Sequence, residues 1–301
     1  MPSSLDCQSG KPVQINRVTP DVWLVWDLNR EHLTIGGALV LRQEGEMIAQ
    51  HLGSKGLAVS LIGPESTRRA AERLAHVIFG SSTYSYQVMS ATERADTWPT
   101  AKVRGEDNFS YFSFSRVSAL HMKTGLKPRL RWRKSLLASA LQVRRCFPGK
   151  LYCVHLKSVA PYNPEESNAH GPSWNAFFRR NAVEGKCNFL LIGDDPLPLG
   201  LEPRPGLIHA KSTSLGLDLA AQLAMIGISD GFVGMASGLC TAAIFNDTPH
   251  VIFKHPAHHP VEMSRELGNG RTFPFAGEKQ QLWRCEANTA ELDKGFHLIS
   301  S

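Results

Sequence analysis

Short, wholly apolar runs alternate along the chain with longer stretches in which apolar and polar residues mix at helical spacing. "DVWLVWDL" (21–28) and "LAVSLIG" (57–63) read as buried strands. Between them, after "NREHLTIGG", the stretch "ALVLRQEGEMIAQHLGSKG" sets Leu39, Leu41, Ile48 and Leu52 among polar residues as a helix does, and Gly53 to Gly56 ends it. Strand, glycine turn, helix and strand make a βαβ unit, which implies a parallel sheet. "STRRAAERLAHVIFG" predicts a second helix, capped by Ser66 or Thr67 and stopped at Gly80. From 81 to 135 the chain is polar with scattered aromatics, and its strands are only weakly marked. Residues 135–147 predict a helix that Pro148-Gly149 closes, the expected domain boundary.

The second half has the same rhythm. "KLYCVHLKS" (150–158) is a strand, "APYNPEESNAHGP" a polar loop, "SWNAFFRRNAVEG" a helix and "CNFLLIGDD" a strand with acids at its end. An irregular "PLPLGLEPRPG", a short strand "LIHA" and an apolar helix "SLGLDLAAQLAMIGISDG" follow, with Ser212 and Ser214 as cap candidates. In "FVGMASGLCTAAIFNDTPHVIF" (232–253) a strand ends at Gly234, and Ser237 and Gly238 form a turn. A helix starts at once, and residues 246–249 break it before the strand "HVIF". The expected fold class is α/β: two Rossmann-like, doubly wound domains, 1–148 and 149–301, facing a central cleft.

Composition narrows the class. With 301 residues, 42% hydrophobic and 20% charged, the chain is expected to be a soluble globular protein with a large core. No apolar run approaches the roughly 18 residues of a membrane span, and the first residues lack the basic-then-apolar order of a signal peptide. The six cysteines are scattered, without a C-x-x-C pair, which points to reduced thiols in a cytoplasmic setting. A net charge of +6 suits an anionic partner. In "KPRLRWRK", Lys127, Arg129, Arg131 and Arg133 alternate with apolar residues, so an extended backbone puts the cations on one face. That face reads as a solvated surface, as a peripheral contact with an anionic membrane, or as a contact for an acidic acceptor. Beyond charge, nothing points to nucleic acid.

In an open parallel sheet, ligands sit where strands end and helices begin. His155, Lys157 and Ser158 end one strand of the second half, and Gly193, Asp194 and Asp195 another. Ser237 and Gly238 begin a helix, whose free N–H groups and positive dipole end suit a phosphate. Glycine at 238 would let that phosphate reach the backbone. "KHPAHHP" brings His255, His258 and His259, but its prolines keep the H-x-x-H pair off a regular helix, so a substrate-lining loop is expected rather than a metal site.

The pieces "VHLKS", "SWNAFF", "FLLIGDD", "KSTSLGLDLAAQLAMIGISD", "FVGMASGLCTAA" and "NDTPHVIFKHP" stand in one order over about a hundred residues. In that order, residues 150 to 256 resemble the C-terminal domain of GT-B glycosyltransferases, above all the bacterial ADP-heptose lipopolysaccharide heptosyltransferase family. A weaker likeness to the α1,6- and O-fucosyltransferases rests on "CVHLKS", "LLIGDD" and "GMASG". The resemblance implies a GT-B-like fold and transfer of a sugar from a nucleotide-diphosphate sugar to a hydroxyl of a glycan, lipid-linked or other acceptor. It implies inversion without an obligatory metal or further cofactor. It assigns nucleotide contacts to His155, Ser158, Gly193, Asp194, Ser237, Gly238, Thr241 and His255, and puts Lys157 on the leaving diphosphate. Ala236, Thr241 and Gly37 stand where the family has an acid, a histidine and an acid. The base is then expected from Asp27, Glu31 or His32, or from Glu44 or Glu46 on the following helix, and a non-catalytic relative that binds sugar nucleotide or glycan is the alternative.

Overall fold

The long apolar runs fold as parallel strands because each is buried on both faces. A computed structural model describes residues 22–90, 96–158, 168–210 and 215–301. The N-terminal arm, part of the proline-rich loop, and Ser212 and Ser214 lie outside the described residues. In the first half, β1 (Val22–Asp27), α1 (Ile35–Leu52), β2 (Gly56–Ile62), α2 (Glu65–Gly80) and β3 (Ser85–Ser90) form a parallel sheet in the order β1-β2-β3. Trp98 extends its β1 edge: Val25 N donates to Trp98 O and Trp98 N to Trp23 O, each at 2.8 Å. The α2 cap is Pro64, with Ser66 and Thr67 inside the helix.

The aromatic stretch after 96 forms turns and helices rather than strands. Here α3 (Ala101–Arg104), α4 (Ser115–Thr124) and α5 (Lys134–Arg145) follow one another. Its rings fill gaps between elements: Tyr111 stacks on Trp26 at 3.9 Å, and Phe114 packs on Phe245 and Phe273. The alternation in the basic stretch is real, with Pro128, Leu130 and Trp132 buried and Lys127, Arg129, Arg131 and Arg133 exposed. Several of these cations are engaged within the chain: Lys127 and Arg129 pair with Asp247, and Arg131 donates to Gln50.

The second half contains β4 (Lys150–His155), α6 (Gly171–Asn181), β5 (Cys187–Leu191), β6 (Leu207–His209), α7 (Leu219–Ile228), β7 (Gly231–Met235), α8 (Cys240–Ile244), β8 (His250–Phe253), α9 (Pro260–Leu267), β9 (Gln280–Trp283) and α10 (Thr289–Ser300). Its parallel sheet runs β6-β5-β4-β7-β8-β9, the doubly wound order in which the chain returns to the middle and then builds outward the other way. The cap of α7 is Asp218, which accepts from Ala221 N. One face of this sheet carries an aromatic core of Trp174, Phe177, Phe178, Phe189 and Phe296, so Trp174 is a packing residue. On the other face α7 and α8 share a continuous core with α1, α4 and α5 of the first half.

Helix α1 is buried along most of its length, charges included. Arg42 pairs with Glu46 at 2.7 Å and stacks on Trp132, and Glu44 is held by Arg116 at 2.8 Å and Trp98 at 2.7 Å. Those buried charges are compensated, as they must be to be tolerated. Glu44 and Glu46 are thereby occupied in holding the fold.

Candidate functional site

The strand order places a topological switch between β4 and β7, where the connections from two neighbouring strands depart in opposite directions and leave a crevice. A cavity of about 690 Å³ opens there. Its floor is the strand ends of the second half. Its opposite wall comes from the first half: Thr34, Ile35 and Gly36 at the start of α1, and the segment from Asn108 to Phe114.

Two lysines line the cavity, one on each side of the β7–α8 turn. Lys157 follows β4 and Lys254 follows β8. Each is only 8% exposed, and neither ammonium group has a hydrogen bond or ion pair among the described residues. Burial holds both ammonium groups below the usual lysine range. The charge of Lys157 adds to the effect on Lys254, while Glu266 and Cys240 oppose it, and Asp195 opposes it at Lys157. Two half-desolvated ammonium groups on one cavity favour an anion in the space between them. The β7–α8 turn adds Ser237, whose buried Oγ has no partner among the described residues, and a short helix whose first turn has no side-chain cap. From the other wall, the start of α1 brings a second helix dipole, with Thr34 capping Gly37 N at 3.1 Å.

His155 sits beneath this floor. Burial, opposed by Asp195 at 3.5 Å, pushes its imidazole down to about 4, so it is neutral at neutral pH. Gly193 makes room for it: its φ is +97°, and a Cβ there would come within 2.7 Å of the ring. Gly193 N donates to Gln222 Oε1 at 2.8 Å. The loop before α9 adds His258 and His259, both lining the cavity. Burial and the nearby Lys254 lower both imidazoles, His258 to about 4. His259 has φ 56°, a left-handed conformation that non-glycine residues reach only at a cost.

Of the residues expected from sequence, Lys157, His155, Gly193, Asp194, Ser237 and Gly238 line this one cavity. The others lie elsewhere. Asp27 closes a turn, accepting from Asn29 at 3.0 Å, and faces Arg104 at 3.4 Å. Glu31 accepts from Tyr111 N at 2.8 Å, and His32 is exposed outside the cavity. Ser158 N donates to Asp195 at 3.2 Å, Thr241 is wholly buried, and His255 lies 3.6 Å from Glu286. Among the described residues no group of three His, Cys, Asp or Glu side chains could hold a metal ion, and no helix is long and apolar enough to cross a membrane.

Two glycines have reasons the sequence did not show. A Cβ on Gly238 would lie 2.8 Å from Gly36 N and 3.2 Å from Ile35 Cβ, so this glycine lets the β7–α8 turn approach the backbone of α1. At Gly37 a Cβ would lie 2.4 Å from the Trp26 ring, so a side chain there has no room. Lys254 and Glu266 were missed. Lys254 carried the same sign as Lys157, a lone cation directly after a buried strand. Glu266, on an amphipathic helix among other charges, carried none.

No protein-family model matches the sequence, and no curated protein matches it. Solved structures do. The glycosyl transferase family 9 protein from Veillonella parvula aligns over 94% of this chain and 98% of its own, with a TM-score of 0.54 at 10% identity. The E. coli heptosyltransferase WaaC with ADP aligns over 92% of this chain and 99% of its own, with a TM-score of 0.51 at 10% identity. What the chain shares with both, over nearly the whole length of each, is the fold: two Rossmann-like α/β units of the GT-B glycosyltransferase kind.

Proposed function

We propose that this chain is a glycosyltransferase that moves a sugar from a nucleotide-diphosphate sugar to an acceptor hydroxyl in glycan or polysaccharide assembly. Residues 1–148 act as the acceptor side and 149–301 as the donor side. The observation that carries this is the pair of unpartnered, buried lysines flanking the β7–α8 turn at the switch point. Their spacing about one turn, with two helix starts facing it, suits a diphosphate better than a single charge.

The chemistry is a direct displacement with inversion. The acceptor oxygen attacks the anomeric carbon while the bond from that carbon to the diphosphate oxygen breaks. The departing charge falls between Lys157 and Lys254, with Ser237 Oγ as a further donor. These groups supply the charge stabilisation that a metal ion supplies elsewhere, and one such donor is worth roughly 3 kcal/mol. Neutral His155 packs under the site and keeps its shape without adding charge.

A non-catalytic binding protein is the second reading. It is favoured by the wall from the first half, whose cavity-lining residues include no titratable side chain, and by Gly37, where no acid fits. Thermal shift with ADP, GDP and UDP, each at a hundredfold excess over its dissociation constant, tests both readings. The matching nucleotide adds about 2.7 kcal/mol of stability. No shift with any of them at millimolar concentration rejects a diphosphate site. A shift without release of nucleoside diphosphate from any donor sugar selects the binding protein.

A further inference from the structure

We propose that Glu266, on α9, is the general base that takes the acceptor's proton, a role that rests on the glycosyltransferase reading above. Displacement at the anomeric carbon needs a group to receive that proton. Among the described residues the first half offers none at the cavity, which leaves the second half. Among the acids lining the cavity, Asp194 and Glu262 are exposed, Glu262 beside His259, and Asp195 is taken up by Ser158 N and His155. Glu266 alone reaches across to the acceptor wall. Its Oε1 accepts from Phe114 N at 2.7 Å and from Ser113 Oγ at 3.0 Å, which fixes the carboxylate in orientation. Its Oε2 is buried and has no donor among the described residues. A buried carboxylate oxygen without a donor is costly, and a substrate hydroxyl is a donor of the right kind.

The surroundings suit a base. Burial raises the Glu266 pKa above the usual carboxylate range, and the bonds from Phe114 and Ser113 and the charge of Lys254 hold it back. Glu262 and Arg265 share its helix, and His258 and His259 precede it. The facing segment presents hydroxyls, amides and the rings of Phe112 and Phe114, while Arg116 behind it is engaged by Glu44. A carboxylate tuned upward in this way binds a proton more strongly than a free one. In the step, the acceptor O–H proton passes to Oε2 as the new bond to the anomeric carbon forms. The electron pair of the broken bond leaves on the nucleoside diphosphate.

Glu266→Gln in the full chain tests the role, because its amide oxygen can still accept from Phe114 N and Ser113 Oγ. Expected are an unchanged melting temperature and nucleoside diphosphate affinity, with kcat for transfer or donor hydrolysis down at least about a hundredfold. The acidic limb of the parent's kcat–pH profile, where Glu266 protonates, should vanish. A variant that retains turnover within about tenfold and keeps the limb overturns the assignment. If Glu266→Gln does not fold, Ser113→Ala replaces it. Losing a bond that lowers the Glu266 pKa should move the limb to higher pH, and an unmoved limb overturns the assignment. A parent that binds nucleoside diphosphate but neither transfers nor hydrolyses any donor also overturns it, with the binding site intact. A parent that binds no nucleoside diphosphate overturns the glycosyltransferase reading and the role of Glu266 together.

Discussion

Lys254 shows how function and stability oppose each other at one residue. It is 8% exposed, without a partner, and held below its usual pKa by burial. Lys254→Met keeps the apolar stem and removes a charge whose desolvation outweighs its attraction to Glu266. The ligand-free variant should melt at or above the parent, since replacing a buried unpaired ion by a methionine of similar length relieves its desolvation. Affinity for nucleoside diphosphate should fall roughly ten- to hundredfold, the worth of one charge-assisted hydrogen bond. Differential scanning fluorimetry and isothermal titration read the two effects separately. A lower melting point with unchanged affinity would make Lys254 a structural residue. Lys157 was legible in the sequence as a cation closing an apolar strand. Glu266 was not, because what distinguishes it is a contact with Phe114 and Ser113, some 150 positions away.

The meeting of α1 with the β7–α8 turn is a property of two elements, and Gly238 is where they touch. A methyl group there would press on Gly36 N and Ile35 Cβ, and backbone cannot turn aside as a side chain can. Gly238→Ala should therefore cost about 1–3 kcal/mol in the ligand-free protein, as overpacking does. Urea denaturation of parent and variant measures this directly. Equal midpoints would return the glycine to the role expected from sequence, backbone approach to a phosphate. Helical and strand periodicity located both elements. It could not show that they touch, because periodicity reports which face of an element is buried and not against what.

Over the whole molecule, the continuous core between the halves makes acid a global stress. His250 is 2% exposed and His155 3%, and burial pushes both down to about 4. Both regain an ordinary value of about 6.5 when the chain unfolds, so between pH 6.5 and 4 the unfolded state binds more protons. Their contribution to stability is complete above 6.5 and is lost as pH falls toward 4. For His250 the full loss is on the order of 3 kcal/mol. The ligand-free melting temperature should drop across that window, and His250→Gln should flatten the slope. Superimposable slopes for parent and variant would remove His250 from the account.

By itself the sequence determined the alternation of strands and helices, the parallel sheets that alternation demands, and the strand ends at which charged and small residues collect. These follow from local rules: burial of both strand faces, helix spacing and glycine stops. Only the tertiary structure decided that β4 lies beside β7, which brings Lys157, Ser237 and Lys254 around one cavity. It alone showed that Asp27 and Glu31 are spent on turns and backbone contacts, and that Trp26 fills the space at Gly37. Strand neighbours and cross-chain contacts are set by packing between residues far apart in the chain, and no local period records them.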